Sequence, residues 1–208
     1  MKKIVLLVVL ALGGVLAYFL LYSKKSKPNG DEVKQQPVAV GKHSEVFNNS
    51  LVETLKNYYA LSEAFVNWDS TAIRSNTTAL QQSIGSMKLD EIKDDTVIYE
   101  TAVSYVGGLN TELGTIAQQK DITAKRHAFH TFSQNFYDLL RTVKYDGKKV
   151  FLQECPMAFN DNEKGLWLSN TAEIRNPYLG LHHPKYKSGM LICGETKDSL
   201  HFTNQTVN

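Results

Sequence analysis

Asp121–Val143 reads DITAKRHAFHTFSQNFYDLLRTV. Phe129, Phe132, Phe136, Leu140 and Val143 recur at spacings of three and four, which places them on one face of an α-helix. This is the strongest apolar stripe in the chain, and Asp121 stands where an N-cap belongs. Such a stripe is what any bundle helix must bury, so it reads as core and not as a cofactor box. His127 and His130 lie at i and i+3, with His127 nearly opposite the stripe and His130 at its boundary. Two imidazoles do not complete a metal site, so both read as surface residues.

Upstream, the same periodicity appears three more times. Ile98, Ala102, Tyr105, Leu109 and Ile116 mark a third helix, weakened by Gly107, Gly108 and Gly114. Leu89–Asp95 is a polar connection. Ile73, Asn76, Leu80 and Ile84 mark the second helix, which Asp69 or Ser70 can cap after the break at Asn67-Trp68. From about Glu45, the face Phe47, Leu51, Leu55, Tyr58, Ser62 and Phe65 marks the first. Downstream, Tyr145-Asp146-Gly147-Lys148 is a turn signal. Val150-Phe151-Leu152 and Leu166-Trp167-Leu168 are strand-like, with Asn160-Asp161-Asn162 as the loop between them. The expected fold is mainly α. It is an up-down four-helix bundle over residues 44–144, followed by a small irregular segment with a few short strands over 145–205.

The first 25 residues read as a membrane anchor or signal segment. Residues 4–22 are nineteen uncharged, mostly apolar residues flanked by lysines, long enough as a helix to cross the inner membrane. The run ends Leu20-Leu21-Tyr22, a poor cleavage site, which favours an uncleaved anchor over a cleaved signal. Residues 26–43 carry Pro28, Gly30, Pro37 and Gly41 without apolar period and read as a flexible linker. The formal charge of the whole chain is +2, but residues 1–30 hold five lysines and no acid. Residues 31–208 therefore carry 18 basic against 21 acidic side chains, a net of −3. A mildly acidic domain is a poor phosphate-backbone binder, so nucleic acid is set aside as a partner.

The chemistry-bearing residues gather in the C-terminal third. Cys155 and Met157, then Met190 and Cys193, bring soft thiolate and thioether donors together in sequence, with His182 and His183 between them. Such donors select Cu(I) or another soft metal. The competing reading is a Cys155–Cys193 disulfide, which removes both thiolates and leaves Met157 and Met190 as packing residues. Trp167 reads as a core anchor, Asn176-Pro177 as a turn, and Gly180 as a position for positive φ. Arg175 is expected to pair with Glu173 or Glu154, or to receive an anionic ligand. No serine elbow, phosphate loop or HExxH motif is present, so no enzyme is expected.

The ordered segments FLQECPMA (151–158), GLWLS (165–169), EIRNPYLG (173–180) and MLICGE (190–195) resemble one bacterial family, the domain of unknown function numbered 3347. The resemblance runs over about Phe47 to Phe202. It implies an exported protein of the cell envelope, facing the periplasm. The family's domain is also found fused to periplasmic adaptor subunits of copper- and silver-type efflux systems, which implies heavy-metal efflux components as partners. This sequence departs from the commoner pattern by inserting Leu181–Ser188, which brings in both histidines.

Two functional expectations follow. One is a membrane-tethered periplasmic domain that binds a soft metal, Cu(I) first, through Cys155, Met157, Met190 and Cys193 with His182 or His183. The other is a non-catalytic structural or protein-interaction module of the envelope, stapled by a Cys155–Cys193 disulfide.

Overall fold

The computed structural model describes residues 43–202. The anchor at 4–22 and all but the last residue of the linker lie outside the described residues. Among the described residues no helix is long and apolar enough to cross a membrane.

The chain builds four helices: α1 (Glu45–Val66), α2 (Ser70–Gly85), α3 (Thr96–Gln118) and α4 (Ile122–Thr142). Each begins at a side chain that takes up otherwise unpaired amide groups. Ser44 accepts from the Phe47 amide, and Asp69 accepts from Thr71 and Ala72. Asp95 accepts from Ile98, and Asp121 from Ala124. The polar connection before α3 holds one 3-10 turn, Leu89–Ile92, that buries Ile92. The glycines of α3 do not interrupt it: Gly107 is exposed, and Gly108 lies beside Asn135 of α4. Consecutive helices pack against each other, the arrangement of an up-down bundle.

Between α1 and α4 the gap is filled by rings. Tyr58 of α1 stacks on Phe129 and Phe132 at 5.3 and 5.9 Å and leans on Phe136 at 5.7 Å. All four are fully buried. A hydroxyl in such a place must be hydrogen-bonded or it costs stability. Tyr58 meets that demand on both sides. Its Oη lies 2.7 Å from Ser133 Oγ and accepts the Leu168 amide at 2.9 Å. Ser133 Oγ donates to the Phe129 carbonyl at 2.7 Å, so its single proton is used there and Tyr58 is the donor to it.

Leu168 belongs to the second layer, an antiparallel sheet of β1 (Val150–Phe159), β2 (Glu163–Ser169) and β3 (Glu195–Leu200) in the order β2-β1-β3. The Asn160-Asp161-Asn162 loop turns β1 into β2 with Asn160 and Asp161 at φ 50° and 62°, a region that Asn and Asp tolerate. The β1–β2 register slips between Cys155 and Phe159. Pro156 lies in that stretch and has no amide hydrogen to give. Gly165 faces Cys155 across the register, and a Cβ there would meet Ala158 and Tyr178 at 2.6 Å. β2 packs on α4, where the Leu166 amide donates to His130 Nδ1 at 3.0 Å. Tyr178 donates to the Leu166 carbonyl. His130, expected at the surface, is thus half-buried and structural.

Replacing Tyr58 by Phe keeps the ring and strands the Leu168 amide and the Ser133 hydroxyl. The expected loss in denaturant unfolding is about 1–3 kcal/mol, and a variant as stable as the parent would remove Tyr58 from this role. His130 gives a pH signature. Burial, then the Lys164 charge, holds its pKa below the ordinary 6.5. The unfolded chain therefore takes up the proton first as pH falls. Stability from this group is complete above about pH 6.5 and declines below it. His130→Gln, which keeps an acceptor for Leu166, should flatten that decline in urea midpoints measured against pH.

Candidate functional site

The sheet and the loop before β3 bring the two cysteines together. Cys155 lies on β1 and is fully buried. Cys193 closes a short turn in which its amide donates to the Met190 carbonyl at 3.0 Å. The two sulfurs stand 2.7 Å apart with both residues free. Burial first, and then the Cys155 thiol, pushes the Cys193 pKa up to about 12. Cys193 is therefore a thiol and not a thiolate near neutral pH.

The other expected ligands are distributed differently. Met157 and Met190 are half-buried and pack against the hydrophobic core. His182 is exposed. His183 stacks on Tyr186 at 5.0 Å and meets Trp68 edge-on at 5.6 Å. Its Nδ1 accepts the amides of Lys185 and Tyr186, both at 3.2 Å. That bonding leaves the hydrogen of the neutral ring on Nε2. Among the described residues, no group of three or more His, Cys, Asp or Glu is arranged to hold a metal ion.

The EIRNPYLG segment has a structural reading that the sequence signalled only in part. Asn176 is fully buried and makes three side-chain hydrogen bonds. Its Nδ2 donates to the Cys193 carbonyl at 2.8 Å, and its Oδ1 accepts the Tyr178 and Leu179 amides at 2.8 and 3.0 Å. Asn176 thus fixes both the turn that follows it and the loop that carries Cys193. Gly180 has φ +57°, as its turn position suggested, and a Cβ there would stand 2.4 Å from the Val66 carbonyl. That carbonyl, at the end of α1, accepts the Leu181 amide at 2.8 Å. Gly194, at φ +144°, lies where a Cβ would meet Glu154 and the Trp167 ring, both at 2.8 Å. Arg175 forms a two-pronged pair with Glu63 of α1 at 2.7 and 2.5 Å, in place of the expected Glu173 or Glu154.

A residue not singled out from the sequence organises the other side of this segment. Arg126 of α4 is 4% exposed, and among the described residues it is the one charged side chain in the buried set. Nε donates to the Pro177 carbonyl and Nη2 to the Phe65 carbonyl, both at 3.1 Å. The guanidinium lies 3.8 Å over the Trp68 ring. Burial lowers its pKa to about 9, and no carboxylate forms an ion pair with it among the described residues. It lines a cleft of about 410 Å³ with Trp68, Thr123, Phe159, Tyr178 and His183. The signal was present: Ile122, Arg126, Phe129, Ser133 and Phe136 share one helical ladder, so a charge occupies a position that the helix buries.

Asn176→Ala removes three side-chain hydrogen bonds from a sealed position. It should cost about 3 kcal/mol in denaturant unfolding. In the reduced protein it should also raise the reactivity of Cys193 toward a maleimide, since the loop carbonyl loses its anchor; unchanged labelling with unchanged stability would refute the anchoring role.

No curated protein and no solved structure matches the chain. One family model, described as Protein of unknown function (DUF3347), matches residues 54–148. The matched stretch is α1 through the turn before β1, not the Cys-containing segments that carry the resemblance in sequence. Over that stretch the chain is similar to the family described as Protein of unknown function (DUF3347).

Proposed function

We propose that this chain is a non-catalytic binding module of the bacterial envelope, whose C-terminal segment is stapled by a Cys155–Cys193 disulfide that ties β1 to the loop before β3. The 2.7 Å between the two sulfurs supports this reading. It is about 0.7 Å more than a covalent S–S bond of roughly 2.05 Å. It is about 1 Å less than the roughly 3.8 Å that separates two thiolates on one tetrahedral metal with 2.3 Å bonds. The sulfurs belong to residues 38 apart in sequence. Closing that loop is worth about 4 kcal/mol on the chain-entropy account. The staple would hold the Cys193 loop, with Asn176 and Trp167 against it, on β1.

The Cu(I) reading needs the same two sulfurs and is decided by the same experiment. The full chain, purified in mild detergent and equilibrated with oxidised and reduced glutathione, is unfolded without reductant and its thiols are counted. No free thiol is expected, and reduction should lower the unfolding free energy by about 4 kcal/mol. Two free thiols would overturn the staple and turn the assignment to Cu(I), tested by titration of the reduced chain against a chromophoric chelator.

A further inference from the structure

Arg126 is held in a way that its structural bonds do not fully use. A guanidinium has five N–H donors in one plane. Two are engaged here, on the Phe65 and Pro177 carbonyls. The Phe65 carbonyl lies in the last turn of α1, where the helix dipole favours a cation. Those two bonds and the Trp68 ring fix the plane of the group. Nη1 has no acceptor among the described residues, and it is not among the side-chain atoms that are sealed without a partner. The cleft is the space that the guanidinium lines. A buried, orientated and un-neutralised guanidinium is the usual receptor for a planar oxyanion.

The walls narrow the class of anion. Trp68, Phe159 and Tyr178 supply ring surface, and Tyr178 spends its hydroxyl on the Leu166 carbonyl. Phe159 is itself backed by His127, stacked at 3.8 Å. His183 presents an Nε2 hydrogen when neutral, since Nδ1 is occupied by two amides. Asp161 also lines the cleft and would oppose an anion, but its carboxylate is engaged by Lys185 at 2.5 Å and by the Tyr186 hydroxyl at 2.7 Å. Asn160 gives its amide to Glu163 at 3.0 Å. A volume of about 410 Å³ suits a small organic molecule. Apolar walls around one charged fork fit a carboxylate on a flat apolar body better than a bare inorganic anion, which would leave the rings unoccupied.

We propose that the cleft between Trp68, Arg126, Phe159 and His183 is a binding site for a small aromatic or apolar carboxylate. Arg126 takes the carboxylate through Nη1, His183 adds a second donor, and the Trp68 and Phe159 rings take the body. The site does not depend on the oxidation state of Cys155 and Cys193, which do not line it.

Benzoate and its neutral counterpart benzamide test this, with inorganic phosphate as the bare anion, all titrated into the full chain in mild non-ionic detergent. Binding is read from the tryptophan fluorescence and checked by calorimetry. Benzoate should saturate at millimolar concentration or below, with benzamide and phosphate each weaker by about tenfold or more. Arg126→Gln should abolish benzoate binding. Because that change also removes the bonds to Phe65 and Pro177, Thr123→Phe serves as the second variant: Thr123 is exposed at the first turn of α4 and lines the cleft. It should block benzoate and leave the melting temperature unchanged. Equal binding of benzoate and benzamide, preference for phosphate, no saturation by benzoate, or full benzoate binding in Thr123→Phe would each overturn the proposal.

Discussion

The hydroxyl of Tyr58 is the point at which the two layers of this protein become one structure. It reaches from α1 through the aromatic interior to Ser133 of α4 and receives the amide of Leu168 on β2. The sequence separations are 75 and 110 residues, so one buried oxygen joins three distant parts of the chain. The direction of each bond is forced, because Ser133 spends its proton on Phe129 and the β2 amide can only donate. Burial keeps the phenol protonated by raising its pKa far above the ordinary range. Without this chain of bonds β2 would be docked on the helices by the Leu166–His130 bond and by ring contact, with no bond to α1 among the described residues.

What the sequence made legible is what depends on near neighbours. Asp69 and Asp121 cap the helices expected of them, and the Phe129–Val143 stripe is buried throughout. The Asn160-Asp161 turn, the positive φ of Gly180 and the burial of Trp167 are local properties too, and each is found. β3 was not legible as a separate strand. Glu195–Leu200 is exposed at its first four residues and has no alternating apolar face, so only its pairing with β1 makes it a strand. The partner of Arg175 was likewise out of reach: Glu63 is 112 residues away, while Glu154 pairs with Lys164 and Lys197.

The site shows the same division. Spacing brought Cys155 and Cys193 forward as a pair, and the fold places them in contact. It grouped His182 and His183 with them because all lie in one stretch of chain. The structure instead gives His183 to Trp68 and the Arg126 cleft, and leaves His182 exposed. The helical ladder puts Arg126 at a position that the helix buries, but its neighbours Lys125 and His127 do not set it apart. Its partners, the Phe65 carbonyl of α1 and the Pro177 carbonyl of the NPYLG turn, are the part that no local pattern carries.

The hydrogen bonds that dock β2 on the bundle also bear on how the protein behaves among copies of itself. β2 and β3 are the outer strands of a three-stranded sheet, and an outer strand offers unpaired amides and carbonyls to any passing chain. On β2 those groups are already occupied: Leu166 by His130 and Tyr178, Leu168 by Tyr58. Side chains from the helices and from the NPYLG turn stand in for a fourth strand. On β3 the protection is different, with Glu195, Lys197 and Asp198 exposed along a six-residue strand and Lys197 paired to Glu195 at 3.0 Å. One side of the sheet is closed by hydrogen bonds and the other by charge. The small sheet can thus pack on the flank of α1 and α4 without recruiting strands from other molecules.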